Sequence, residues 1–220
     1  MKNGMTTGDS VLCRCQTRGR GRMGRKWQSL TGNLFAAWMI PPPKSRACSS
    51  ILSLIVGLIF TRVLQGLGIQ VYIKWPNDLI YHDKKVGGIL IEEKGSQIVA
   101  GIGLNLISCP ERNEVHECSL TEPGHLKAFF ADWPIDELWA KLVYQAHILY
   151  EDILCNFSFI DFIPEINSNL WLIGEKVCIE SGGYLHEGIL EGIGNKGEII
   201  LSNPSGVVQL ADGSIRQMKY

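Results

Sequence analysis

Short apolar blocks alternating with polar ones dominate the first hundred residues and read as strands, interrupted once by a long apolar block that reads as a helix. Val11–Cys15 is a short run in which alternation puts Cys13 and Cys15 on one face. Leu34–Ile40 predicts a second strand, stopped by Pro41-Pro42-Pro43, which cannot continue a ladder. The uncharged run Ala47 to Phe60 lies between Arg46 and Arg62 and is shorter than the ~20 apolar residues of a membrane span. It predicts a buried helix, capped by Ser49 or Ser50, running to about Leu64 and ending near Gly66 and Gly68. Val71–Lys74 and Leu79–Tyr81 flank a Trp-Pro-Asn-Asp turn, and Val86–Glu93 with Gln97–Asn105 predicts a hairpin closed by Lys94-Gly95-Ser96.

From Glu111 to Glu180 the pattern turns acidic and helical, with Pro134, Asp136 and Glu137 opening a helix whose apolar face includes Leu138, Leu142 and Leu149. After Trp171, regularly spaced glycines separate short runs such as Lys176–Glu180, Gly188–Glu191 and Glu198–Leu201, the texture of short strands joined by tight turns. The expected fold class is α+β: a mixed or antiparallel sheet with helices packed on it over residues 1–171, then a small β-barrel-like domain over 172–220.

Charge changes this picture in one place. The 220 residues carry 21 Lys+Arg against 22 Asp+Glu, yet residues 1–30 hold Lys2, Arg14, Arg18, Arg20, Arg22, Arg25 and Lys26 against Asp9 alone. The rest therefore carries 14 basic and 21 acidic groups, which excludes a generally basic nucleic-acid binder and leaves a local anion site near the N-terminus. The seven cysteines include no CxxC pair, so a structural metal site is not expected, and reduced, mostly buried thiols in a cytoplasmic protein are. Met1 to Ser10 is polar and has no signal-peptide character.

Gly19-Arg20-Gly21-Arg22-Met23-Gly24-Arg25-Lys26-Trp27 carries the chemistry at that end. Gly19, Gly21 and Gly24 let the backbone approach a ligand closely, and the arginines repel one another unless an anion sits among them. Ordering such a loop costs on the order of 10 kcal/mol of backbone entropy. Charge-assisted hydrogen bonds return about 1.5–3 kcal/mol each, so the expectation is a loop that orders around a phosphate. An RNA-binding arginine-glycine tail is the alternative. Trp27 suits stacking on a purine or packing as a core aromatic, with nothing in the residue to decide between them.

Lys74-Trp75-Pro76-Asn77-Asp78 brings the oxygens of Asn77 and Asp78 to one turn, where they can cap the backbone or hold Mg²⁺. Lys85-Val86-Gly87-Gly88-Ile89-Leu90 places a lysine at a strand start and Gly88 beyond it; Gly101-Ile102-Gly103-Leu104-Asn105 again leaves a strand face bare and ends in an amide. Together these segments describe a floor on which a flat ligand can lie.

The set resembles the biotin protein ligase family. Gln16-x-x-Gly-Arg-Gly-Arg-x-Gly-Arg-x-Trp, Lys-Trp-Pro-Asn-Asp, Lys-x-Gly-Gly-Ile-Leu and Gly-x-Gly-x-Asn occur in the family's order from Gln16 to Asn105. The resemblance implies adenylation of biotin by ATP, with Mg²⁺, and transfer to a lysine of a biotin carboxyl carrier protein; a lipoate–protein ligase and a non-catalytic relic are the alternatives. It implies that Gln16 and the Gly19–Gly24 loop cover biotin and its adenylate, and that Arg20, Arg22 and Lys85 meet carboxylate and phosphate. Trp27 then packs on adenine; Gly88 and Gly101 belong to the floor that binds the adenylate; Asn77, Asp78 and Asn105 serve phosphates and Mg²⁺; and Arg216 reaches the nucleotide. The resemblance admits a homodimer, and with no room for a helix-turn-helix domain neither DNA nor membrane is an expected partner. The family's Ser/Thr-Thr-Asn segment, which holds the biotin ureido ring on a strand and helix, has no counterpart in the ten residues before Val11. The ring is expected to be held otherwise, or that segment lies before Met1.

Overall fold

The strands collect into two sheets because their alternation leaves each with one face to bury. The computed structural model describes residues 4–43, 49–111, 121–156 and 158–217. The first sheet comprises β1 (Ser10–Cys13), β2 (Leu34–Ile40), β3 (Tyr72–Lys74), β4 (Asp78–Tyr81), β5 (Lys84–Lys94), β6 (Gln97–Leu104) and the short β7 (Glu122–Pro123). Its order is β1-β2-β6-β5-β4-β3, all antiparallel, with β7 pairing in parallel with the start of β5. The predicted β2 and the β5–β6 hairpin appear in their expected places. The peptide before Pro76 is cis in the β3–β4 turn.

Helix α1 (Ser49–Gly66) packs across β3, β4 and β5, while α3 (Ile135–Asn156) covers β1 and β2; α2 (Lys127–Phe130) and α4 (Phe159–Ser168) complete the layer. The expected acidic first turn of α3 is present, with Leu138 N–H donating to the Pro134 carbonyl. β2 turns Leu34, Ala36, Trp38 and Ile40 toward these helices, and β6 turns Leu104, Ile102, Ala100 and Ile98 the same way in register. All are buried, which leaves the opposite face of the sheet for a ligand. The capping expected of Ser49 and Ser50 falls on side chains outside the described ones, and the acidic stretch 112–120 also lies outside the described residues.

The second sheet holds β8 (Lys176–Ser181), β9 (Tyr184–Ile193), β10 (Ile199–Asn203), β11 (Gly206–Leu210) and β12 (Ser214–Gln217), antiparallel in the order β11-β10-β9-β8-β12. It joins the first part through buried groups: Trp75 Nε1 donates to the Gly197 carbonyl at 2.9 Å, and Ile193 N–H donates to Asn167 Oδ1 at 2.9 Å.

The cysteine expectation needs correcting. β1 stops at Cys13, so Cys15 leaves the strand and is exposed; of the described free thiols Cys13, Cys15, Cys109 and Cys178, only Cys178 is buried. Cys48 and Cys118, and the Cys155 side chain, lie outside the described set. Among the described residues no helix is long and apolar enough to cross a membrane.

Candidate active site

Antiparallel register assembles the site from residues far apart in the chain. Cys13 opposes Phe35, Phe35 opposes Gly103, Gly103 opposes Gly88, Gly88 opposes Asp78 and Asp78 opposes Lys74. These six form one row across the whole sheet, apolar at the β1 end, bare in the middle and charged at the β3 end. A second row, Val11, Ala37, Gly101 and Leu90, runs beside it and is apolar throughout. Both rows line a cavity of about 440 Å³, a volume suited to a small organic ligand.

The bare middle is where the structure revises the sequence reading. A β-carbon on Gly103 would lie 2.6 Å from Trp27 Cζ2, and one on Gly88 would lie 3.0 Å from Trp27 Cζ3. The indole of Trp27 is therefore laid on these two glycines, and the cavity wall there is the tryptophan rather than the bare strand. Gly101, whose β-carbon would meet only Leu90 atoms at 3.5 Å or more, keeps open space above it. Trp27 thus needs both a stacking and a packing description, because the glycines seat it while it lines the cavity.

The arginine loop folds back on itself to deliver that indole. Trp27 N–H donates to the Gly19 carbonyl at 3.0 Å and Gly21 N–H to the Arg25 carbonyl at 2.7 Å, with a tight turn at Arg22–Gly24 between them. Glycine is required at 19: a β-carbon would sit 2.5 Å from the Trp27 carbonyl oxygen and 2.9 Å from Gln16 Oε1. Gln16 lines the cavity, and its own N–H donates to Ser29 Oγ at 2.8 Å. Gly24 sits at the loop tip and, like Gly19, does not line the cavity.

Charge concentrates at the β3 end. Lys85 Nζ pairs with Asp78 Oδ1 at 2.7 Å and stands 5.3 Å from the centre of the Trp27 ring, so it is a cavity lysine rather than a solvated hairpin one. Arg22 is half-buried in the lining; burial lowers its pKa, while the nearby Asp78 and Asp212 carboxylates oppose that shift. Arg20 sits differently, at the rim, paired with Glu92 Oε1 at 2.8 Å with both side chains largely exposed. The arginines expected to act as a group are therefore split, one inside and one at the edge.

Two amides turn out to have backbone work as well. Asn77 Nδ2 donates to the Ile89 carbonyl at 2.8 Å, and the buried Asn105 donates to the Gly124 carbonyl at 3.0 Å. Both line the cavity, and in each the amide nitrogen is engaged by the sheet. Arg216 is not brought to the site. β12 pairs with β8, which sets Arg216 against the Glu180 carboxylate on the second sheet, outside the cavity lining. Gly213 and Ser214, just before it, do line the cavity.

Lys74 was not singled out from sequence. Only 4% exposed, it donates to Thr121 Oγ1 at 2.6 Å and lines the cavity beside Asp78. Burial pulls its pKa down to about 8; Lys85 and Arg25 add to that, and Asp78 opposes it. A lysine closing a strand beside the exposed Tyr72 reads as solvated; its sequence signals are its place at the head of Lys-Trp-Pro-Asn-Asp and the density of charge in Lys74, Asp78 and Lys85.

Known proteins resemble the chain in both sequence and structure. Residues 2–106 match the family model of the biotin/lipoate A/B protein ligase family. A biotin–(acetyl-CoA-carboxylase) ligase of Paracoccus denitrificans is 31% identical over 209 residues, 89% of this chain and 85% of that protein. The bifunctional ligase/repressor BirA of Escherichia coli is 40% identical over 109 residues, 46% of this chain and 34% of that protein. The structure of a biotin protein ligase from Aquifex aeolicus in complex with biotin and ATP superposes with a TM-score of 0.82 at 27% identity, covering 99% of this chain and 92% of that one.

Proposed function

This chain belongs to the biotin protein ligase family, and from that premise we propose that it activates biotin with ATP and transfers it to a lysine of a carboxyl carrier protein. One observation carries the reading for this chain's own residues: the row from Phe35 to Lys74, apolar at one end and cationic at the other, with Trp27 seated on its centre. A ligand that combines a hydrocarbon part, a purine, a carboxylate and phosphates finds a matching surface for each.

In the first step a biotin carboxylate oxygen bonds to the α-phosphorus of ATP while the bond to the bridging oxygen breaks, and diphosphate leaves with the electron pair. No enzyme nucleophile is needed, so catalysis rests on positioning and on cations where charge gathers. Lys85 serves the reacting carboxylate and α-phosphate from its place between Asp78 and the Trp27 ring. Arg22 adds a second cation from the loop, and Trp27 offers its face to the purine. Val11, Ala37, Gly101 and Leu90 give the apolar bed for the biotin rings and chain. Asp78 is the lining carboxylate that would help hold a magnesium ion brought with ATP, whose part would be to offset charge on the phosphates.

In the second step the carrier lysine's amine attacks the anhydride carbonyl carbon, the carbon–oxygen bond breaks and AMP leaves. The amine gives up a proton, and Asp78 is the inner carboxylate among the described lining residues, Glu92 standing at the rim. Exchange of labelled diphosphate into ATP tests the reading, with biotin, lipoate or no acid added and a biotin carboxyl carrier domain as acceptor. Biotin-dependent exchange with biotinylation of the domain is expected. Exchange driven by lipoate alone would move the chain to the lipoate enzymes, and exchange with neither acid from well-folded protein would remove the ligase reading.

A further inference from the structure

Lys74 is a buried ammonium that the roles above leave unassigned. It closes the in-register row one strand beyond Asp78, and two strand spacings beyond Gly88, where Trp27 rests. At roughly 4.8 Å per spacing, that puts it about 10 Å along the sheet from the purine platform. Lys85 falls between the two, beside Asp78.

Among the described residues, the surroundings of Lys74 do not balance its charge. It faces Asp78 from β4, Lys85 from β5, Arg25 from the arginine loop, the Thr121 hydroxyl, and the Trp171 ring at 5.6 Å. Asp78 is already paired with Lys85. An ammonium carries three donors, and among the described residues one of them, to Thr121, is engaged. Burying a cation is costly unless it is paired and hydrogen-bonded, and here two of the three charged neighbours are cations. A polyanion in the cavity supplies both the charge and the acceptors.

We propose that Lys74 is a further residue of the nucleotide site and holds the diphosphate that leaves in the first step. The assignment rests on the adenylation reading for which chemistry is done there, but the binding it asserts is of diphosphate itself. Three cations then follow the length of the nucleotide: Arg22 and Lys85 at the reacting centre and Lys74 at its far end.

Calorimetry with inorganic diphosphate, and exchange kinetics where biotin drives them, test this on wild type and Lys74→Met. The expected result for K74M is a Kd for diphosphate and a KM for ATP at least tenfold higher, with a KM for biotin changed less than twofold. A variant with lowered Tm but wild-type diphosphate affinity would overturn the proposal, reducing Lys74 to a packing residue. Should K74M not fold, Thr121→Val serves instead: losing the hydroxyl that holds the ammonium weakens diphosphate binding severalfold and spares the KM for biotin, and an unchanged diphosphate affinity sinks the idea. Wild type that binds diphosphate but shows no biotin-dependent exchange would fail the ligase reading and leave Lys74 as a diphosphate ligand.

Discussion

The two ends of the row across the first sheet are built from the same backbone and differ in what their burial demands. At the β1 end, Val11, Phe35 and Ala37 meet a ligand only by excluding water, so each contributes in proportion to apolar area. At the β3 end, Lys74, Asp78 and Lys85 are charges held mostly out of solvent, so removing one leaves the others uncompensated. The rim pair Arg20–Glu92 makes the same point from outside: it has the same chemistry as Lys85–Asp78 and a similar distance, but both partners are well solvated and screened. Position along the row, more than residue type, sets the expected size of an effect.

The charged end should therefore break first and hardest. Lys85→Ala takes away the cation nearest the reacting centre and strands Asp78. Loss of a donor that acts on developing charge typically costs about a hundredfold or more in rate. The expected outcome is a drop of that order in biotin-dependent exchange, with ATP binding weakened far less. Equal losses in rate and binding would mean that Lys85 holds the ground state and not the reacting atoms.

The middle of the row comes next, and it tests the seating of Trp27. A methyl group at 103 would stand 2.6 Å from the indole, so the ring must lift from the sheet. Overpacking of this kind costs roughly 1–3 kcal/mol. Gly103→Ala should raise the KM for ATP by about tenfold, the counterpart of ~1.4 kcal/mol, and shift the tryptophan fluorescence. Gly101→Ala, with open space above it, should leave the fluorescence unchanged; two identical shifts would contradict the different surroundings of these neighbouring glycines.

Much of this was legible in sequence because the informative features are local. Strand β2 with its proline stop, the β5–β6 hairpin and the glycine-arginine loop each announce themselves within a dozen residues. Pairing is what sequence could not supply. Nothing in Gly88 or Gly103 says that they face one another under Trp27; that follows from β5–β6 register combined with a loop arriving from more than sixty residues away. The partner of Arg216 is hidden for the same reason, since Glu180 comes from a strand 36 residues earlier. Lys74 was overlooked because strand alternation assigns it the face of the exposed Tyr72, while Thr121 and Trp171, brought in by later chain, bury it.

The apolar end should give the smallest and most selective effect. Ala37 sits in the second row between Val11 and Gly101, half-buried and lining the cavity. Ala37→Leu adds hydrocarbon to a surface that is already hydrocarbon, so no charge is stranded and no hydrogen bond is lost. The added bulk occupies space assigned to the biotin chain and rings. Changes of a methylene or so in an apolar pocket are worth about 1–3 kcal/mol. With room at the neighbouring Gly101 for some relief, the lower part of that range applies, roughly a fivefold to tenfold rise in KM for biotin. The KM for ATP should stay within about twofold, since Trp27 rests on the other row and Lys85 pairs with Asp78 there. If A37L instead raised the KM for ATP and spared biotin, the two ligands would have to be exchanged along the row, with the purine over Ala37 and the acid over Trp27. Steady-state titration of each substrate at saturating levels of the other separates these outcomes, because each assigns the penalty to a different substrate.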